Sequence, residues 1–474
     1  MHEVFAAWHP LFTGSVAYAE LQGDLEARGL EYLNTELATA TLFPDGESMF
    51  LTTSHEENVA SLGPGWERTV RDFMPNAELA FGVLSTELWS GDGARLGWKA
   101  LRRLGRRGLL EFTGNVLVSC RDWVTETFED ERTRGLFAPW VLHTGLGPDA
   151  ALSGFMAQLI GVAIELGGMP VPRGGGVNLV EALAGIVRDA GGACETGRDV
   201  ERILVSAGRA TGVRTADSEE IEATRAVLAN VTPQQLYGDL LGAEGRVADE
   251  ARRFRFGRGE MQIHFALSEP PGWQGDERLG RTAIVHLTPG LDGVSRAVNE
   301  AERGLLPAEA TVVVGQPMAV DASRAPDGGW ILWIQLQEVP SRPKGDAAGD
   351  LETGDGTWTE ELREHYADRI QARIASHAPN LESAILRRVV YSPADIAAAN
   401  PNMPGGDIYS GSCALDQNLL WRPRPRLPGH RTHVEGLWHI GASTHPGPGL
   451  GAGSGTLVAK ELLRPSVADR ILRR

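Results

Sequence analysis

The 474-residue chain carries 45 basic and 62 acidic side chains, a net charge of -17, with 42% hydrophobic residues and 12 Trp. That composition supplies a large core and excludes disordered and collagen-like chains, while the acidic balance opposes binding to phosphate backbones, so no nucleic acid partner is expected. Glycine, at 58 of 474, is about 12% against a usual level near 7%, an excess that tight turns and close backbone approaches require and helix bundles do not.

At about 150 residues per domain the length corresponds to roughly three domain-sized units. No fixed-period repeat is present, which disfavours solenoids and propellers. Cys120, Cys194 and Cys413 are too few and too far apart for a disulfide framework or a zinc site; they read as small core residues of a cytoplasmic protein. The N-terminal MHEVFAAWHPLF has neither a basic n-region nor an apolar h-region. The longest mostly apolar run, Gly154 to Leu166, is shorter than the roughly 20 residues that span a bilayer.

From Ala19 to Leu166 the apolar spacing is mostly helical, and residues 1–165 read as a cap or substrate region. Within it, Ala94 to Leu110 interleaves basic residues with Leu96, Trp98, Leu101 and Leu104. A solvated helix over the core is the commoner form of such a stretch; a helix lying in a membrane interface, giving peripheral membrane contact through 94–110, is the other. Gly97, Gly105 and Gly108 weaken the helix in both cases.

Residues 166–241 form the clearest local unit. Gly174, Gly175 and Gly176 open a helix, VNLVEALAGIVRDA, whose stripe is Leu179, Leu183, Ile186 and Val187. Short β-type runs follow at Glu201 to Val205, Arg209 to Thr215, Glu220 to Ala223 and Arg225 to Ala229. This describes an α/β nucleotide-binding layer with an inserted β-meander. Residues 242–394 contain MQIHFAL, TAIVHLT, TVVVGQP and ILWIQLQEVP, an antiparallel sheet expected to bury one face, and a helix from Trp358 to His377 with Leu362, Tyr366, Ile370 and Ile374 on one side. Trp330 and Trp333, three apart in a strand, face opposite sides as core residues. In 395–474, a strand at Val434 to Ile440 runs into a glycine-dense loop and a helix from Gly453 to Leu463, which gathers backbone N–H groups into an anion site.

Three segments carry a family likeness: PRGGGVNLVEALAGIVRDAGGACETGRDVERILVSAGRATGVRTADSEEIEATRAVLANVTP, NPNMPGGDIYSGSCALDQNLLWRPRP and GLWHIGASTHPGPGLGAGSG. Together they resemble the phytoene dehydrogenase-like FAD-dependent oxidoreductases, in particular the branch of pyridine nucleotide-disulphide oxidoreductase domain-containing protein two. The resemblance extends from about Ala7 to the C-terminus. It implies FAD as cofactor, held by Gly441, Ala442 and Ser443 and then Gly449, Gly451 and Gly453, with Val200 against the adenine and Asn230 and Val231 lining the same pocket. The Gly174 to Gly176 turn would approach from the substrate side.

The family's opening strand, G-x-G-x-x-G turn and helix, which hold the FAD pyrophosphate, have no counterpart here. The chain is therefore expected to be a truncated product or a start chosen too far downstream, or else a degenerate relative or half of a split enzyme. The expected fold class is α/β with an α+β substrate part. It comprises an FAD/NAD(P)-binding Rossmann-like domain lacking its first βαβ unit and an antiparallel-sheet and helical substrate domain.

The expected chemistry is hydride transfer between a hydrophobic substrate, of isoprenoid or lipid type, and flavin, with an unidentified electron acceptor and redox-neutral isomerisation as a variant. The alternative is a partner-binding relative that has lost flavin. No catalytic acid or base stands out. His445, in the glycine loop, reads as a structural histidine before a proton relay or a flavin-contacting group, and His143 as a packed group before one facing the substrate cavity. Asp407 reads as a turn residue before a group near the flavin ring. His439 with His445, and His430 with His433, lack further ligands, so no metal is expected. Ser454 is offset from the G-x-S-x-G pattern.

Overall fold

A computed structural model describes residues 3–427, 429–449 and 451–464. Its largest sheet has seven strands, in the order Ile385–Tyr391, Gly259–Leu267, Trp330–Val339, Val312–Gly315, Ile284–Leu287, Thr39–Leu42, Ser48–Leu51. Neighbours are antiparallel except Ile284–Leu287 with Thr39–Leu42, which run parallel. The four runs read as an antiparallel sheet are thus strands of one sheet. Thr39–Leu42 and Ser48–Leu51 fall in the stretch read as mostly helical, because four-residue strands are too short to show a period of two against the helices around them.

One sheet face is aliphatic. Met261, Ile263, Phe265, Leu332, Ile334 and Leu336 pack in one cluster with Leu362, Tyr366, Ile370 and Ile374 of the helix Glu360–Ala375. Burying each such side chain contributes about 1.5–3 kcal/mol. The expectation of a single buried face is corrected here. The opposite face is also covered, because Trp333, Val313 and Ile284 join a second cluster with Trp66, Trp123, Phe137 and Trp140 from the first third of the chain. Trp330 packs on the aliphatic side and Trp333 on the other, as period-two alternation requires.

The helices over that second face are tied by one buried carboxylate. Glu165, on the helix Ser153–Gly167, accepts from Trp66 Nε1 at 2.6 Å and Asn58 Nδ2 at 2.7 Å, and its other oxygen meets His55 Nδ1 at 2.8 Å. The basic stretch lies in the helical run Gly91–Leu117, which Gly105 interrupts with φ 67° and ψ 179°. Lys99 and Arg103 reach Glu78, and Trp98 and Leu110 project outward. Among the described residues no helix is long and apolar enough to cross a membrane.

The helix Val177–Asp189 and the three-stranded meander Val200–Ser206, Arg209–Thr215, Glu220–Glu222 form where the sequence places them. Leu179 is buried and Leu183 and Ile186 pack against the same cluster, but Val187 is exposed. At about 100° per residue it lies about 80° from Leu179, on the edge of the stripe. Cys120 and Cys413 are buried as expected, whereas Cys194 is exposed in the turn after that helix. The strand Val227–Asn230 pairs in parallel with Leu437–Ile440, bringing Asn230 opposite Ile440.

The central sheet and the N-terminal segment meet at Gly315. A Cβ there would lie 2.1 Å from Trp8 Cη2, and Trp8 packs edge-on to Trp333 with centroids 5.3 Å apart. Gly315→Ala is expected to destabilise the protein by about 1–3 kcal/mol, measured by urea denaturation, because overpacking displaces the indole.

Candidate functional site

Ligands of open α/β sheets bind beyond the carboxyl ends of parallel strands. Here the pair Val227–Asn230 and Leu437–Ile440 ends at Asn230, Val231 and Gly441, which the structure brings together. A Cβ on Gly441 would stand 1.9 Å from Asn230 Oδ1, and Gly441 has φ 100°, so only glycine fits. Val231 O is hydrogen-bonded to His439 Nε2 at 2.7 Å. Ser454 Oγ accepts from Gly441 N–H at 3.0 Å and contacts Thr444 Oγ1 at 2.9 Å, fixing the loop against the helix Gly453–Leu463. That helix begins after Ala452, in the left-handed region at φ 52°, without a side-chain cap on its first N–H groups. Gly449 and Gly451 approach Leu11, and Gly453 approaches Pro446. Val200 opens the meander opposite Thr215, on a different sheet from the strand pair.

A second loop is locked to the first by Arg422, 4% exposed. Its Nε donates to Ala442 O at 2.8 Å, one terminal nitrogen to Ser412 O at 3.2 Å and Gln417 O at 3.3 Å, and the other to Tyr409 O at 3.1 Å and Gly411 O at 3.5 Å. Ser443 Oγ adds a bond to Ser410 O at 2.7 Å. Asp407 sets the turn, accepting from the N–H groups of Gly257, Tyr409 and Gly411 at 2.6–2.9 Å. Burial nonetheless holds its carboxyl above the ordinary range. Its place is that of the turn residue expected from the sequence.

The loop faces a feature that the sequence reading missed. Cross-strand register puts Tyr391, Gln262, Gln335, Val313, His286 and Thr41 in one row over the sheet, and Val389, His264, Trp333, Gly315, Ile284 and Thr39 in the next. This buried face therefore mixes polar side chains with Val313, Trp333 and Ile284. Glu260 Oε1 accepts from Gln335 Nε2 at 2.7 Å and from Gln262 Nε2, while Gln337 Nε2 donates to Tyr409 Oη at 3.0 Å and Tyr409 Oη to Leu142 O at 2.7 Å. Burial pushes the Glu260 carboxyl up to about 8. Glu260 Oε2, Gln262 Oε1, Gln337 Oε1 and the indole N–H groups of Trp8, Trp140 and Trp333 are buried without a hydrogen-bond partner among the described residues. Since nearly all buried polar groups are paired, this concentration sets the face apart from ordinary core. The signal was present as Gln and His at alternate positions of MQIHFAL and ILWIQLQEV, but alternation alone reads as a solvent face.

His143 packs against Trp140 with centroids 4.6 Å apart and the rings tilted by 32°, and its Nε2 lies 3.0 Å from His286 Nε2. Burial drives His143 down to about 3 and His286 well below its ordinary range, so both rings are neutral. His445 Nε2 bonds Val83 O at 2.9 Å, and burial lowers its pKa. The Gly174–Gly176 turn meets buried charges rather than a strand end: Gly174 N–H donates to Asp321 and Gly176 N–H to Glu3, and both carboxylates pair with Arg324. Among the described residues no group of three or more His, Cys, Asp or Glu side chains is placed to hold a metal ion.

Three variants test this arrangement. Between the ordinary glutamate range and pH 8 the folded chain holds a proton on Glu260 that the unfolded chain releases, so stability falls as pH rises, by about 1.4 kcal/mol per pH unit from this group. Glu260→Gln is expected to remove that component, seen as a smaller difference in urea midpoint between pH 5 and pH 8 than in the wild type. Arg422→Met strands several buried carbonyls and is expected to cost about 3 kcal/mol or more by chemical denaturation. Arg422→Lys restores only part of that, because an ammonium cannot reproduce the planar fork.

No family model matches the chain. Pyridine nucleotide-disulfide oxidoreductase domain-containing protein 2 of Mus musculus is 27% identical over 304 residues, covering 62% of this chain and 50% of the relative. The phytoene desaturase (neurosporene-forming) of Rhodobacter capsulatus is 25% identical over 429 residues, covering 88% and 76%. The chain spans about half the length of the first curated relatives it matches. Among solved structures, an oxidoreductase from Methanosarcina mazei superposes with a TM-score of 0.56 at 12% identity, over 96% of this chain and 87% of the other. Wild-type putrescine oxidase gives 0.57 at 12%, over 98% and 88%. These superpositions establish that the chain shares the α/β fold of those structures. By sequence, the chain is similar to the phytoene desaturases and to pyridine nucleotide-disulfide oxidoreductase domain-containing protein 2, and by fold to these oxidoreductase structures.

Proposed function

We propose that this chain is an FAD-dependent oxidoreductase acting on a hydrophobic small molecule, with the cofactor at the carboxyl ends of Val227–Asn230 and Leu437–Ile440. The observation that carries this reading is Gly441, held against Asn230 with no room for a Cβ, at the point where the strand end, the glycine loop and an uncapped helix start converge. Those features suit a phosphate-bearing cofactor. Asn230, Val231, Gly441, Ala442 and Ser443 would hold it, with Gly449, Gly451 and Gly453 leaving space beside it and Val200 toward its adenine end. When bound, the flavin supplies hydride transfer.

The chain's own residues then do four things. Arg422 and Ser443 hold the 409–417 and 441–443 loops in register, so the cofactor-side backbone does not depend on mobile side chains. Trp8, Trp140 and Trp333 give an apolar wall that excludes water, while the amides of Gln262 and Gln337 offer hydrogen bonds that orient a substrate. His143 and His286, both neutral, place no charge beside it.

The partner-binding alternative has one observation in its favour. Val227–Asn230 has a strand neighbour on one side only among the described residues, leaving Leu228 43% exposed. One measurement separates the two. The purified chain incubated with FAD and desalted is expected to retain flavin absorbance, and Gly441→Val to retain about tenfold less with an unchanged circular dichroism spectrum. A wild-type chain that retains none leaves the partner-binding reading standing instead.

A further inference from the structure

On the far side of the 409–417 loop lies a cleft of about 670 Å³, walled by the helix Leu291–Glu302, the 255–258 approach to the central sheet and the 340–344 exit from it. Pockets of this size hold small organic ligands rather than single ions. Four cations line it, Arg255, Arg258, Arg342 and Lys344, on a chain whose net charge is -17.

Their pairing divides them. Arg255 is bidentate on Asp416 at 2.7 and 2.9 Å. Arg258, only 9% exposed, reaches Glu302 at 2.9 Å and Leu146 O at 3.1 Å, with its Nε buried and unbonded. The other lining carboxylate, Asp149, is engaged by Arg121 and Ser295. Arg342 and Lys344 are exposed and form no ion pair among the described residues; the acid that senses Arg342, Asp355, is hydrogen-bonded to Thr357 N–H at 2.9 Å. The cleft thus carries uncompensated positive charge at its mouth and a guanidinium fixed within, with Gly145, Gly147 and Gly257 in its lining.

We propose that this cleft binds an organic anion, its phosphate or carboxylate group held by Arg342 and Lys344 with Arg258 behind them. Charge-assisted bonds from a guanidinium and an ammonium are the chemistry such groups require. The site is coupled to the flavin-side loops. Ser412, in its lining, donates its N–H to Arg255 O at 2.9 Å and its carbonyl accepts from Arg422. The proposal nevertheless stands without flavin.

The test is isothermal titration of the purified chain with inorganic pyrophosphate and, separately, with citrate. Comparison is with Arg342→Gln/Lys344→Gln and with Arg246→Gln/Arg252→Gln, which removes two cations from a surface outside the cleft lining. The expected result is saturable binding of at least one probe that weakens about tenfold in the cleft double variant, remains in the control pair and falls with added salt. Pyrophosphate alone identifies a phosphorylated ligand, citrate alone a carboxylate, and either supports the site. Binding of neither probe, or equal loss in both double variants, overturns it.

Discussion

The guanidinium of Arg422 holds the site together. It is buried and donates to the backbone carbonyls of Tyr409, Gly411, Ser412, Gln417 and Ala442. Those carbonyls belong to irregular chain with no sheet ladder to pair them, and a buried carbonyl left unpaired is costly. A single planar fork with five donors satisfies them together. Asp407 performs the converse task for N–H groups, so the loop between the large sheet and the strand pair is fixed by one buried cation and one buried carboxyl.

The seven-stranded sheet depends on burial of two different kinds. Its aliphatic face needs only area and packing. Its other face carries Glu260, Gln262, Gln335 and Gln337, which are tolerable away from water only because they bond one another and Tyr409. Several polar atoms there have no hydrogen-bond partner among the described residues, a cost in stability that distinguishes this face from ordinary core.

Charge is distributed to the same end. Most arginines are neutralised locally, as Arg324 is by Glu3 and Asp321 beneath the Gly174–Gly176 turn. Around the cleft beside the Arg422 loop that compensation stops at Arg342 and Lys344, so a strongly acidic protein presents a local positive field where a cavity of small-molecule size opens.

Much of this was legible in the chain. The helix Val177–Asp189, the meander, Leu437–Ile440 and the helix Gly453–Leu463 follow from local periodicity and glycine punctuation, which act within a few residues of one another. The turn role of Asp407 and the opposite facing of Trp330 and Trp333 follow from equally local rules. Pairing partners do not. That Thr39–Leu42 joins Ile284–Leu287, that helices from the first third cover the Gln262 and Gln335 face, and that His143 meets His286 are decided across more than a hundred residues of sequence. Sequence by itself determined those helices and strands and the glycine loop, because short-range sterics and periodicity suffice for them, whereas the four-residue strands Thr39–Leu42 and Ser48–Leu51 escaped it. Only tertiary packing decided which polar residues lost their water, and so which of them could become a site.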